Sequence, residues 1–247
     1  MTPRKLQALI EAEGITLLSF DIFDTLITRP FEKPTQVFSY MTENFPPVPD
    51  SFPQSRPRAE QLARREAPGG EVNMNEIYAK LAQMEGYTPE LCKTLCSLEK
   101  ETELRLCKPR PEGAALFQAV SEMDLRVILI SDMYLSRERI SRMLCKCGLK
   151  DFHELYISCE YRMNKANGDL FRYVKKQEEL PFSTMMHVGD NPISDVIVPR
   201  NLGMHAVYLP MQENAPLPER DGVDRLLPHG TRRRNFVSSV VRKIRGK

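Results

Sequence analysis

Four separated stretches of this 247-residue chain carry side chains suited to handling a phosphoryl group. Asp21-Ile-Phe-Asp24-Thr25-Leu26 brings two carboxylates and a hydroxyl. Ser131-Asp132 adds a hydroxyl and a carboxylate, and Lys165 stands shortly before Gly168-Asp169-Leu170-Phe171. Gly189-Asp190-Asn191 adds another carboxylate, with Asp195 about one helical turn further on. Asp21, Asp190 and Asp195 offer hard oxygen ligands of the kind Mg²⁺ prefers. Carboxylates crowded together repel unless a cation sits among them, so the set implies magnesium as cofactor. Lys165 and the Ser131 hydroxyl suit the remaining phosphoryl oxygens, together with backbone N–H groups at helix starts. An aspartate not consumed in binding can attack phosphorus and form an acyl phosphate. Positioning and charge neutralisation do most of the work in such reactions.

The elements that must position these groups are legible as alternating runs. Ile15 to Phe20 is apolar except for Thr16 and Ser19, as in a strand buried on both faces. Arg126 to Ile130, Leu155 to Ser158, Met185 to Val188 and Ala206 to Leu209 share that character. Helical patterns separate them, over Glu112 to Met123, Leu135 to Cys147, Asp169 to Glu179 and Asp195 to Leu202. A first helix starts at Pro3 with Thr2 as its cap and runs to Gly14. Strand alternating with helix predicts right-handed crossovers and an α/β, doubly wound parallel sheet. Ligands of such sheets sit beyond the carboxyl ends of the strands, where all four stretches fall.

Residues 30–108 break the rhythm, with no strand-like run and helical patterns over Thr35 to Asn44, Gln54 to Glu66, Met74 to Met84 and Pro89 to Cys107. About 75 residues of helix is too long for a crossover, so this region reads as an inserted all-helical cap domain. The expected layout is a core of residues 1–29 and 109–210, a cap of 30–108, and a linker with a basic tail over 211–247.

Net charge is +2, from 35 basic and 33 acidic residues, and it is uneven. Thr231 to Lys247 holds seven basic residues and no acid, so the other 230 residues sum to +2 − 7 = −5. That reads as an appendage with its own partner, an anionic membrane surface or another protein, or equally as a frayed, solvated terminus, and not as a nucleic-acid-binding fold. No run approaches the roughly 18 apolar residues of a membrane helix, and the N-terminus lacks an apolar signal core, which points to the cytoplasm. The six cysteines form no C-x-x-C pair and read as reduced thiols. His187, inside a buried run, reads as a satisfied core histidine.

In order and placement, Asp21-x-x-x-Thr25-Leu26, Ser131 after an apolar strand, Lys165 before a helix, and Gly189-Asp190 with Asp195 resemble the motifs of the haloacid dehalogenase superfamily. The resemblance spans residues 15 to 210 and extends to the branch with a helical cap between the first two motifs. SFDIFDTLITRPF, ISDMYL, KANGDLF and HVGDNPISDV are similar to a bacterial group associated with polysaccharide assembly. The resemblance implies Asp21 as nucleophile and metal ligand, with the Phe23 backbone carbonyl and Asp190 completing the protein ligands and Asp195 acting behind them. It implies Ser131 and Lys165 as holders of the phosphoryl group, with Thr25 and Asp132 beside them as further substrate-binding residues. The substrate is then a small phosphorylated metabolite such as a sugar phosphate. One position departs: where the family's phosphatases carry a second aspartate as general acid/base, this chain has Phe23, and an acid, Asp24, comes one residue later. Asp24 is a candidate for that role and, alternatively, a structural acid paired with a backbone N–H or with Arg29. A weakly catalytic phosphate-binding or regulatory module is the competing reading, and a metal-free dehalogenase a third.

Overall fold

A computed structural model describes residues 1–211, so the basic tail and all but the first residue of the linker lie outside the described residues. Helix α1 (Pro3–Ala12) begins as its sequence requires: Thr2 is extended, its hydroxyl accepts the Lys5 N–H, and Pro3 occupies a first-turn position that has no intrahelical partner to lose. Strand β1 (Leu17–Phe20) follows, buried at every residue. Further on come helix α6 (Pro111–Ser121), β4 (Arg126–Ser131), α7 (Arg137–Lys146), β5 (Glu154–Ile157) and the short α8 (Ser158–Tyr161). Helix α9 (Asp169–Glu178), β6 (Met185–Gly189), α10 (Val198–Asn201) and β7 (His205–Tyr208) complete the run, and these labels count elements in chain order.

The five strands pair in the order β5-β4-β1-β6-β7, all parallel. The chain moves outward from β1 to β4 and β5, then returns across β1 to β6 and β7. The direction reverses at β1, which places the carboxyl end of β1 at the switch point of the sheet. Alternation along β1 divides the core between two faces. Leu17 packs with Ile128, Ile130, Met185 and the Leu170, Phe171 and Val174 stripe of α9. Phe20 points the other way, edge-on to Phe117 of α6 with ring centroids 5.8 Å apart. Ser19 and Asp21 share the parity of Leu17, so the polar end of β1 opens on the α9 side.

Two features differ from the sequence expectation. The helix read from Asp195 is present, but it opens earlier, as a π-helical turn over Pro192–Ile197 that runs into α10. Pro192 and Pro199 lack backbone donors, and the Asn191 side chain caps Ile193 and Ser194 instead. Strand β2 (Ile27–Thr28) also pairs antiparallel with β3 (Lys108–Pro109), a two-residue ladder too short to leave a periodic signal.

The chain divides into two compact units. The α/β unit comprises Met1–Arg29, Ala63–Met74 and the described chain from Cys107 onward. Its middle segment is pinned by polar contacts. Ser158 Oγ donates to Glu71 Oε2 at 2.7 Å, Arg162 Nη1 donates to the Glu71 carbonyl at 2.6 Å, and the Met74 N–H meets the Tyr134 carbonyl at 3.1 Å. Burial raises the Glu71 carboxyl above its ordinary range, against the lowering pull of Ser158 and Arg64. All six cysteines are free. Among the described residues no helix is long and apolar enough to cross a membrane.

The helical unit, Pro30–Leu62 and Asn75–Leu106, is built from α2 (Gln36–Asn44), the first turns of α3 (Phe52–Glu66), α4 (Met74–Glu85) and α5 (Pro89–Leu106). At its centre lies Arg56, fully buried, which donates to both oxygens of Glu99 at 2.9 and 2.8 Å and to Glu60 at 3.1 Å. Tyr78 adds its hydroxyl to Glu99 at 2.7 Å, and the guanidinium lies over the rings of Phe38 and Tyr78. Removing one member of a buried ion pair leaves the other charge uncompensated, which costs about 3–5 kcal/mol. Arg56→Met is therefore expected to destabilise the protein by that amount in urea titration. The double change Arg56→Met with Glu99→Met should cost clearly less than the sum of the single ones, and an additive result would deny the pair its coupling.

Candidate active site

The carboxyl ends of β1, β4 and β6 bring their polar residues to one rim. Asp21 continues β1, its N–H bonded to the Val188 carbonyl at 2.9 Å, and Asp190 follows β6. Ser131 closes β4 and is buried. One carboxylate oxygen from each of Asp21, Asp190 and Asp195 lies within 4.8 Å of the others. Lys165, 3% exposed, extends its ammonium into this group and donates to Asp21 Oδ1 at 2.5 Å and to Asp195 Oδ1 at 2.7 Å.

Each member is held by a local device. The Lys165 N–H is shared by both oxygens of Asp132, at 2.9 and 3.1 Å, and the Lys165 carbonyl accepts from Gly168. Asp132, expected beside the substrate, thus braces the loop that carries the lysine. Thr25 Oγ1 donates to Asp190 Oδ1 at 2.9 Å, orienting that carboxylate. Asp195 collects donors: the Asn191 N–H reaches Oδ2 at 2.9 Å, and Ser194 Oγ and His187 Nε2 each lie 3.3 Å from Oδ1. Gly189 makes this approach feasible, because a Cβ there would stand 2.4 Å from the Asp195 carboxyl carbon. Gly113, at the start of α6, plays the same part beneath Thr25, whose carbonyl oxygen a Cβ would meet at 1.8 Å.

Sequence reading placed His187 in the core and did not connect it to the site. His187 is fully buried in β6, directly opposite Ser19 of β1, and its Nδ1 lies 2.8 Å from Ser19 Oγ. Burial lowers its pKa, so the ring is neutral. With its proton on Nε2 toward Asp195, Nδ1 can accept from Ser19, whose hydroxyl also lies at donor distance, 3.1 Å, from the Met186 carbonyl. A serine and a histidine within doubly buried strands were the available signal, since buried polar groups need partners.

Charge divides unequally over the cluster. Burial pushes the Asp21 carboxyl up to about 8, opposed by the Lys165 ammonium and assisted by the neighbouring charges of Asp195 and Asp190. Burial works the same way on Asp195, yet Lys165 and the donation from His187 outweigh it and hold that carboxyl well below the usual range. Both aspartates touch the same ammonium, and Asp195 takes the negative charge because it has more donors. Burial also raises Asp190, with Asp24 and Asp195 adding to the rise and Thr25 opposing it. Three hard oxygen donors with one ammonium leave unbalanced negative charge in a buried place, which fits a divalent magnesium with its octahedral oxygen shell.

Asp24 lies close enough to Asp190 for its charge to be felt there, on a turn of its own. Its φ of 59° is left-handed, a region in which aspartate is enriched, and its N–H bonds back to Ile27 at 2.7 Å. Its carbonyl accepts from Arg110, which also holds the Leu209 carbonyl at 3.1 Å. Burial raises its carboxyl, while Arg29, Arg110 and the Thr28 hydroxyl pull the other way. Arg29 is the strongest of these lowering influences. Phe23 lies under the Arg29 guanidinium, 4.5 Å from the ring centroid.

No family model and no curated protein matches the sequence. Solved structures do match. A 2-haloacid dehalogenase from Pseudomonas syringae pv. tomato DC3000 is 19% identical at a TM-score of 0.57, over 83% of this chain and 91% of that one. A haloacid dehalogenase family enzyme from Bacteroides thetaiotaomicron, in complex with magnesium and inorganic phosphate, is 17% identical at 0.54, over 81% and 97%. A predicted phosphoglycolate phosphatase from Haemophilus somnus 129PT is 13% identical at 0.54, over 82% and 89%. These likenesses show the fold: an α/β parallel-sheet core of the haloacid dehalogenase type.

Metal binding to a protonated carboxyl displaces the proton. Because Asp21 is raised to about 8, Mg²⁺ affinity should climb with pH between 6 and 8 and level off above, with proton release at pH 7. Calorimetry in two buffers of different ionisation enthalpy measures both, and affinity independent of pH would contradict the charge distribution. Gly189→Ala, which displaces the Asp195 carboxylate, is expected to weaken Mg²⁺ about 10–100-fold.

Proposed function

We propose that the protein is a magnesium-dependent phosphohydrolase or phosphotransferase that works through an aspartyl phosphate on Asp21. The observation that carries the reading is the convergence of Asp21, Asp190 and Asp195 on one point with the Lys165 ammonium among them. Asp21, Asp190 and the Phe23 carbonyl would hold Mg²⁺, with Asp195 behind them. Bound there, the ion supplies charge neutralisation for the phosphoryl oxygens. Asp21 attacks phosphorus with its free oxygen, and Ser131 and Lys165 hold the transferred group. Asp195 positions Lys165, Thr25 steadies Asp190, and Asp132 fixes the lysine loop. The substrate is a small phosphorylated metabolite, a sugar phosphate being one candidate. The magnesium and phosphate in the Bacteroides enzyme support this reading over a dehalogenase, and so does the acidic pair, which an attack on carbon does not need.

A second reading is favoured by one observation, the engagement of Asp24 by Arg29, Arg110 and Thr28. It is a weakly catalytic phosphate-binding or regulatory module, in keeping with the resemblance to polysaccharide-assembly proteins. Hydrolysis of p-nitrophenyl phosphate with and without Mg²⁺ separates the two. Chloride release from a 2-haloacid tests for the dehalogenase. Asp21→Asn should lower kcat at least about a thousandfold, as loss of a nucleophile does, with an unchanged circular dichroism spectrum. Retained turnover in that variant would reject the nucleophile.

A further inference from the structure

We infer that this site turns over rapidly only phosphoryl donors whose leaving group departs as a stable anion without taking a proton, namely acyl phosphates and phosphoanhydrides, and that phosphate esters of ordinary alcohols are poor substrates. The inference rests on the phosphoryl-transfer reading above, narrows its substrate class and sets aside the sugar-phosphate candidate.

An alkoxide leaves phosphorus slowly unless a general acid protonates it, help worth about a hundred- to ten-thousand-fold. Of the proton-bearing groups around Asp21, Asp190 and Ser131 are assigned above to the metal and the phosphoryl group, and the others already have partners. The Lys165 ammonium is bound between Asp21 and Asp195. Thr25 gives its proton to Asp190. His187 faces Asp195 through one ring nitrogen and Ser19 through the other. Asp132 accepts the Lys165 N–H with both oxygens, and Glu71 accepts from Ser158 and Arg64. Asp24, on its left-handed turn, meets Thr28, Arg29 and Arg110. In an extended backbone, side chains two residues apart share a face. The residue in that relation to Asp21 is Phe23, a hydrocarbon ring with Arg29 stacked on it. Asp24 is near enough for its charge to bear on Asp190, and its carboxyl is engaged by Arg29, Arg110 and the Thr28 hydroxyl.

The chemistry that suits such a site moves no proton in its first step. An Asp21 oxygen forms a bond to phosphorus, the bond from phosphorus to the leaving oxygen breaks, and that oxygen keeps the electron pair as a carboxylate or phosphate anion. In the second step a water oxygen bonds phosphorus, the bond to Asp21 breaks, and Asp21 recovers its carboxylate. The proton of the water ends on the released phosphate or in solvent. An acceptor hydroxyl in place of water gives transfer by the same balance. Neither step has a carboxylate base at the Phe23 position, so the aspartyl phosphate should persist long enough to trap.

The test is a comparison of kcat/KM for the full chain with Mg²⁺ on three kinds of donor: acetyl phosphate, aryl phosphates whose phenols span graded acidity, and the alkyl esters glycerol phosphate and glucose 6-phosphate. The expected result is a steep fall with leaving-group basicity, with acetyl phosphate at least about a hundredfold above the alkyl esters. Hydroxylamine should capture the aspartyl phosphate. Phe23→Asp, which supplies a carboxyl on the face of Asp21, should raise alkyl-ester turnover at least about tenfold and leave acetyl phosphate within a few-fold. Phe23→Asn should not. Alkyl esters within a few-fold of acetyl phosphate in the unmodified chain would overturn the inference and leave the phosphoryl-transfer reading standing; that comparison decides the matter even if the variants do not fold. Absence of turnover and of trapped phosphoprotein with every donor would sink both.

Discussion

The arrangement of the whole rim follows from one buried contact, the Lys165 ammonium shared between Asp21 and Asp195. Isolated charges in so dry a place are costly, and they persist only where each has a partner and its remaining hydrogen bonds are met. That requirement reaches outward in steps. Asp195 needs Asn191, Ser194 and His187; His187 needs Ser19; the lysine loop needs Asp132. Three strands and the loop before α9 are thereby fixed relative to one another by polar contacts, in a region where apolar packing alone would tolerate small shifts.

The same contact explains why glycine stands at two positions. Asp195 folds back over the end of β6 only because Gly189 presents no side chain, and the Thr25 turn seats on α6 only because Gly113 presents none. Electrostatics decides which groups meet, and steric exclusion decides how near they come. Asp24 illustrates the alternative outcome. Its acid is drawn toward Arg29 and Arg110 on a left-handed turn, and the Phe23 ring lies under the same Arg29 guanidinium.

Much of this was legible in the residues. The strands of a parallel sheet announce themselves as short apolar runs, and topology then requires their ends to converge, so Asp21, Ser131, Asp190 and Lys165 could be grouped without coordinates. The helices of the insertion were equally plain from their periodicity. Side-chain partners were not. Sequence gives Ser19 and His187 separately, and only the register of β1 against β6 sets them opposite each other. Thr25 and Asp132 could be placed at the rim, but not the hydrogen bonds they make to Asp190 and to the Lys165 backbone. The helix after Asn191 was legible from its spacing, but its π-helical opening at Pro192 was not. Nothing in residues 67–73 signals that this stretch packs with the α/β unit, since its ties depend on Ser158 and Arg162 far along the chain.

The two-residue ladder between β2 and β3 has a consequence for how such a protein can change over evolutionary time. It fastens Ile27 to Pro109 and Thr28 to Lys108, the two points between which the helical insertion leaves and rejoins the sheet-bearing unit. With those ends already tethered, lengthening or exchanging the intervening helices adds little loop-closure entropy, which grows only slowly with length. A lineage could therefore lengthen or exchange the helices on either side of the Ala63–Met74 segment while inheriting the chemistry at the strand tips unaltered.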